Sequence, residues 1–156
     1  MRLEGKTAVI TGAASGIGAA CAALFKSQGA TVLGIDLKQD SLTNVKASLD
    51  ASVALDVTSK ASVDAAISDF AQEFGHLDIL INSAGITSRN VPEGTSWEDG
   101  WQMVMDVNVK GTLLISAAMM EHQRATGRGG SIVTISSIYG QVSRPPILTG
   151  PPDPYT

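Results

Sequence analysis

The sequence predicts an α/β domain built on a doubly wound parallel sheet, and three observations carry that expectation. Short apolar, β-prone runs alternate with helix-forming stretches between residues 7 and 135. The connections between them are short. The first apolar run passes through a glycine-rich turn directly into a helix.

Taken in order, Thr7-Ala8-Val9-Ile10-Thr11 is β-prone and apolar on both faces, as a central parallel strand covered by helices requires. Gly12, Gly16 and Gly18 follow, with Ser15 and Ile17 among them, and Ala19 to Phe25 has helix-forming composition. Strand, tight turn and helix N-terminus in this order make a phosphate cradle. Free N–H groups and the positive end of the helix dipole converge on the turn. A Cβ at the glycines would block the turn or the approach of a diphosphate. The spacing is not G-x-G-x-x-G, so the turn alone does not identify a dinucleotide site.

Gly29 is a natural helix stop. Thr31 to Ile35 reads as a second buried strand closed by Asp36, and Leu42, Val45 and Leu49 mark a short helix. Val53-Ala54-Leu55 is a third strand closed by Asp56. From Ser59 to Phe74, apolar residues at 63, 66, 67, 70, 71 and 74 form a helical face. Leu77 to Ile81 is a fourth strand, ended by Asn82-Ser83-Ala84-Gly85. A polar loop from Thr87 to Thr95 leads to Ser96 and Asp99, an acidic variant of a helix-capping pair. Helical sequence then extends to Ala125, and Ser131 to Ile135 is the fifth strand.

Composition narrows the function. The 156 residues are 44% hydrophobic and 17% charged, which fits a single globular domain with a real core. A net charge of −4 speaks against a nucleic-acid partner, which would want a basic face. No run of about 18 apolar residues and no signal-peptide layout are evident, so no membrane partner and a cytoplasmic location are expected. Cys21, the only cysteine, is expected to pack inside, and no His, Cys, Asp or Glu cluster has metal-ligand spacing.

Asp36 lies 24 positions after Gly12, where a strand-end carboxylate can accept hydrogen bonds from the hydroxyls of an adenosine ribose. An acid there repels a 2′-phosphate, so NAD is expected over NADP. Asp56 could meet the adenine edge or cap the helix near Ser59; both readings stand.

At this point the chain resembles the short-chain dehydrogenase/reductase family, through five ordered matches over residues 5 to 140. Thr11-Gly12-Ala13-Ala14-Ser15-Gly16-Ile17-Gly18 looks like the family's cofactor turn. Asp56-Val57 and Asn82-Ser83-Ala84-Gly85 look like its next two landmarks, the latter with serine in place of a second asparagine. Asn108, in Asp106-Val107-Asn108-Val109, resembles the asparagine that supports a proton relay. Ser137, in Ser136-Ser137-Ile138-Tyr139-Gly140, resembles the catalytic serine. The resemblance implies a Rossmann-like domain over residues 1–140, with a proline-rich loop from 141 to 156.

It also implies hydride transfer between a nicotinamide and a small alcohol or carbonyl substrate. Ser137 would orient the substrate oxygen. A tyrosine would exchange the proton, helped by a lysine four residues later, and Asn108 would hold a water leading to that lysine. A free phenol titrates near ~10, so a neighbouring cation is needed to favour phenolate. Tyr139 is too close to Ser137 for this role and is expected to pack. Tyr155, 18 residues after Ser137, is the better match, beyond a segment holding five of the six prolines.

Residue 156 is the last, so no lysine stands four places after Tyr155. The sequence is expected to represent the first three-fifths of a family member, truncated after the fifth strand, with little turnover by itself. A nucleotide-binding module without redox chemistry is the competing expectation. Val107, Leu114, Ile115, Ala118 and Met119 form a helical face that family members use to pair subunits, so a homo-oligomer is expected of the complete protein. The fifth strand should be a bare edge that invites association. His76 is expected to be a turn residue, His122 to be solvated at a helix end, Asp78 to open its strand, and Trp97 and Trp101 to pack.

Overall fold

A computed structural model describes residues 1–137. Among them β1 (Thr7–Thr11), β2 (Thr31–Asp36), β3 (Ala51–Ala54), β4 (Ile79–Asn82) and β5 (Ser131–Thr134) form one parallel sheet in the order β3-β2-β1-β4-β5. The chain runs outward from β1 through β2 to β3, then crosses back to place β4 on the other side of β1. Ala8 therefore faces Val32 on one side and Ile79 on the other. The order reverses between β1 and β4, and in sheets of this type ligands bind beyond the strand C-termini at that point.

Alternation along the strands sends side chains into two cores. Val9, Leu33, Ile35 and Leu80 pack under α3 (Lys60–Phe74) and α5 (Thr112–Thr126), which contribute Val63, Ile67, Phe70, Ile115 and Met119. Ile10, Val32 and Ile81 point to the opposite face, against α1 (Gly16–Ser27) and α2 (Gln39–Asn44), through Ala22 and Leu42. Every residue of β1 is buried, as a strand with helices on both faces must be. Partly buried Cys21 packs against this second core.

Several boundaries differ from the sequence reading. β3 starts at Ala51 and ends at Ala54, so Leu55 lies beyond it; its buried side chain packs in the core and also borders a cleft. β4 starts at Ile79 because Asp78 spends its groups differently. Its N–H donates to the Thr7 carbonyl, while its carboxylate accepts from the Thr7 N–H (3.0 Å) and the Lys6 ammonium (3.0 Å). Burial pushes the Asp78 carboxyl up, but the Thr7 amide and Lys6 outweigh it and hold it below the usual carboxylate range. Asp78 thus ties the N-terminal ends of β1 and β4 together. The short helix marked by Leu42, Val45 and Leu49 is α2 followed by a 3₁₀ turn at Lys46–Ser48.

The last helical stretch is α4 (Trp97–Met105), a π-helical turn (Asp106–Gly111) and α5, continuous over 30 residues. Ser96 caps it, accepting from the Asp99 N–H at 3.1 Å. This run is long and apolar enough to cross a membrane by length and composition, which the sequence reading had not registered. Here Ile115, Ala118 and Met119 are buried under it, on α3 and the sheet. These residues therefore do not present the expected subunit-pairing face. The exposed apolar residues of the run are Trp97, Trp101, Met103, Val109, Leu113 and Met120. Trp97 and Trp101 face outward rather than packing.

His122 also departs from expectation. It is not a solvated helix-end residue, for its Nε2 accepts the Leu77 N–H at 3.2 Å. Burial, and then the charge of His76, lowers its pKa. The His76 ring lies 5.4 Å away, bonded to Thr126 Oγ1 and the Gly129 carbonyl. β5 is exposed along its length and forms the sheet edge among the described residues, with Ile132 and Val133 uncovered.

Candidate active site

Beyond the C-termini of β1, β2 and β4 lies a cleft of about 320 Å³. Its floor is the turn from Gly12 to Ile17, its rim on one side is Asp36 with Asp56 and Val57, and its other wall is Ala84 and Gly85. Nine of the residues singled out in the sequence thus share one cavity: Gly12, Ser15, Gly16, Ile17, Asp36, Asp56, Val57, Ala84 and Gly85.

The three glycines have different tasks. Gly12 has φ +64°, and a Cβ there would come within 2.8–2.9 Å of the Ser83 carbonyl and the Ala84 nitrogen. It lets the β1 and β4 ends approach. Gly18 is outside the cleft lining; its Cβ would overlap the Gly12 carbonyl, so it seats the helix against the turn. Gly16 has φ +50°, and a Cβ there would meet nothing within 4 Å. That open space lies over the start of α1, which carries no side-chain cap: Ser15 occupies the N-cap position but its hydroxyl does not bond the helix. Uncapped N–H groups facing an open cleft are what an anion can take up.

The turn is fixed from both sides. Ala13 N–H donates to the Ile35 carbonyl at 3.1 Å, and Ala14 N–H to Asp36 Oδ2 at 3.0 Å. Asp36 Oδ1 accepts from Leu37 N–H at 2.8 Å. An ionised carboxylate has about four acceptor positions, so capacity remains for hydroxyl donors in the cleft. Asp56 Oδ1 accepts the Thr58 N–H at 2.9 Å, and Ser59, not Asp56, caps α3.

On the β4 side, Thr11 Oγ1 accepts from both Ser83 N–H and Ala84 N–H at 3.1 Å each. Sequence reasoning gave Thr11 no such role, because the partners lie 72 and 73 residues away. Asn82 is buried and outside the cleft lining, donating from Nδ2 to Ser116 Oγ (2.9 Å) and Thr134 Oγ1 (3.3 Å). It links β4 to α5 and β5. Asn108 lies in the π-helical turn, where its amide pairs with the backbone of Ile86: Ile86 N–H to Oδ1 at 2.8 Å and Nδ2 to the Ile86 carbonyl at 2.9 Å. π-Turns commonly mark functional sites, and this one holds the loop that walls the cleft. Leu37, Leu55, Ser83, Ile86, Val107 and Ile135 also line the cleft. An alternation signal for buried strands could not separate them from core.

Ser137 is exposed, two residues beyond Ile135, whose N–H donates to the Asn82 carbonyl at 2.9 Å. Tyr139, Tyr155 and the proline-rich segment lie outside the described residues. Among the described residues no three His, Cys, Asp or Glu side chains gather as a metal site.

A Rossmann-type domain with a cleft at the switch point of its sheet is the class of protein that this fold and cleft define. The sequence model of the short chain dehydrogenase family matches residues 6–148, and the chain belongs to that family. D-threitol dehydrogenase of Mycolicibacterium smegmatis is 39% identical over 142 residues, covering 87% of this chain and 54% of that enzyme. The 3-oxoacyl-[acyl-carrier-protein] reductase FabG of Thermotoga maritima is 38% identical over 151 residues, covering 93% and 61%. A crystal structure of NAD⁺-bound xylitol dehydrogenase superposes with a TM-score of 0.81 at 26% identity, covering 93% of this chain and 58% of its own. The chain thus spans little more than half the length of these relatives. The family's members are dehydrogenases and reductases that use nicotinamide cofactors.

Proposed function

We propose that this chain carries the cofactor-binding part of an NAD-dependent oxidoreductase that moves a hydride between nicotinamide and a small alcohol or carbonyl compound. The observation that carries the reading is the Asp36 carboxylate on the rim of the cleft, directly beside the glycine turn. The residues present fit a dinucleotide: an uncapped helix start, open space at Gly16 and a carboxylate at the end of the neighbouring strand.

In this reading the amides around Ser15, Gly16 and Ile17 take the diphosphate, with Gly12 and Gly18 shaping the turn. Asp36 accepts the ribose hydroxyls and repels a 2′-phosphate, which makes NADP the poorer ligand. Asp56 and Val57 border the adenine. Ala84 and Gly85 form the opposite wall, with Thr11 holding the Ala84 N–H and Asn108 holding Ile86 next to Gly85. Bound NAD supplies the hydride acceptor. Ser137 orients the substrate oxygen, Tyr155 exchanges its proton, and Asn108 supports the proton path. Oxidation of the alcohol then releases one proton and leaves the carbonyl.

The competing reading, a nucleotide-binding module without redox chemistry, predicts NAD binding with no turnover of any alcohol or carbonyl. Assembly of the complete protein as a homo-oligomer is supported by the exposed Val109, Leu113 and Met120. No nucleic-acid or membrane partner and a cytoplasmic location complete the proposal, on the net charge of −4 and the packing of Ile115, Ala118 and Met119 of α5 into the core.

Calorimetric titration with NAD and NADP tests the cofactor. NAD should bind more tightly, and Asp36→Ala should shift the ratio toward NADP. An unchanged ratio would remove Asp36 from the ribose. D-threitol and xylitol, substrates named in the relatives, are the first compounds to assay for turnover.

A further inference from the structure

We propose that Asp36 has a second task, resting on the dinucleotide reading: it is a positioning residue that sets the glycine turn for the diphosphate. Only two backbone donors tie the tip of this turn to β2, and they belong to successive peptides. The Ile35 carbonyl holds the peptide between Gly12 and Ala13. It leaves the next one free to rotate about Ala13. Asp36 Oδ2 holds that next peptide through the Ala14 N–H, 22 residues away in sequence.

The peptide held by Asp36 joins Ala13 to Ala14, and the next donor along the chain is the N–H of Ser15, the N-cap of α1. Fixing it leaves only the rotation about Ala14 between this anchor and the Ser15 N–H, and so narrows the directions in which the N–H groups of Ser15 and Gly16 leave the chain. Gly16, with φ +50° and open space where a Cβ would stand, has no packing of its own to fix it. The carboxylate that faces the ribose therefore also determines how the anion cradle is presented. The two ends of the cofactor site are mechanically joined through one side chain.

Charge and geometry make opposite predictions for an anion that has no ribose. If Asp36 acts on inorganic pyrophosphate only through its charge, Asp36→Ala must strengthen binding by removing repulsion. If it positions the turn, Asp36→Ala must weaken binding, by about tenfold for one lost charge-assisted hydrogen bond. Asp36→Asn removes the charge and keeps one oxygen for the Ala14 N–H, with its amide nitrogen turned to the exposed Leu37 N–H, which water can take up instead, so it should bind pyrophosphate at least as well as wild type. It should still lose affinity for NAD.

The experiment titrates the full chain and both variants with pyrophosphate and with NAD, following the Ala14 amide by ¹⁵N NMR and its hydrogen exchange. Weaker pyrophosphate binding and faster Ala14 exchange in Asp36→Ala, both rescued in Asp36→Asn, support the proposal. Pyrophosphate binding equal to or tighter than wild type in Asp36→Ala overturns it while leaving the dinucleotide reading intact. Should Asp36→Ala not fold, Asp36→Leu, which likewise offers no acceptor to the Ala14 N–H, takes its place: weaker pyrophosphate binding than wild type supports the proposal, and equal or tighter binding overturns it. Wild-type protein that binds neither ligand overturns the dinucleotide reading, and the proposal with it.

Discussion

Replacing Thr11 with valine should loosen the wall of the cleft while barely changing its shape. Valine fills the same volume but offers no acceptor, so Ser83 N–H and Ala84 N–H both lose the oxygen they share at 3.1 Å. A buried donor left unsatisfied costs about 1–3 kcal/mol. Both amides are only partly buried, so the lower half of that range applies to each and the total is ~2–4 kcal/mol. For a chain of this size, each kcal/mol lowers Tm by about 2–4 °C, giving a fall of roughly 4–16 °C. Urea unfolding of wild type, Thr11→Val and Thr11→Ser, followed by circular dichroism, measures the effect. The serine variant keeps the oxygen and should recover most of the loss. NAD affinity should fall in the valine variant, because Ala84 and Gly85 wall the cleft. A valine variant within about 0.5 kcal/mol of wild type would show that the two amides find other acceptors, and the anchoring role would have to be withdrawn.

Asn108→Ala should free Ile86 from both of its hydrogen bonds, which hydrogen exchange at the Ile86 amide would register as lost protection. Gly18→Ala should destabilise far more than Gly16→Ala in thermal melts, since only the first drives a Cβ into the Gly12 carbonyl. Acid should act through two groups. The folded chain holds His122 below its ordinary pKa, so the unfolded chain takes up that proton first. Stability is then complete above about pH 6.5 and falls as pH drops toward the lowered folded value. Asp78 is also held low, so its contribution persists above about pH 4 and disappears only as pH falls through its depressed value. Unfolding free energy across pH 3 to 8 for wild type and His122→Leu checks the first step: the variant should lack the loss that sets in below about pH 6.5. Val133→Lys should reduce self-association measured by sedimentation, because it places a charge on the exposed edge strand.

The framework was legible because its signals are local. β1 and α1 fall where the apolar run, the glycine turn and Gly29 put them, and Ser59 and Ser96 start the helices they precede. What escaped the sequence depends on where distant segments meet. Leu55 reads as strand because it is apolar, yet it lies beyond β3, packed in the core and bordering the cleft. The Thr11 hydroxyl acquires its meaning only when the loop after β4 returns beside it. His122 looked like a helix-end residue, and only the packing of α5 on β4 brings Leu77 N–H to its ring. Along the 97–126 run, periodicity located an apolar stripe but not which neighbour it served. The stripe at Ile115 and Met119 serves the sheet. Most of the candidate cofactor residues converge in one cavity, whereas Ser137 stands apart from its lining and Tyr155 falls outside the described residues.

The π-helical turn at Asp106–Gly111 gives the long helix two obligations at once. Upstream of its end, Asn108 must grip Ile86; downstream, Ile115 must reach the sheet. A wide turn absorbs roughly one residue more than a regular one, and each residue rotates a helix by about 100°. Deleting one residue other than Asn108 or Gly111 would let the turn tighten to an ordinary α-helical one while Asn108 and Ile115 keep their faces. Replacing Asn108 would release Ile86, and a Cβ at Gly111 would press into Val57 at 2.6 Å. The segment is therefore a place where residue count can change while these two residue types cannot.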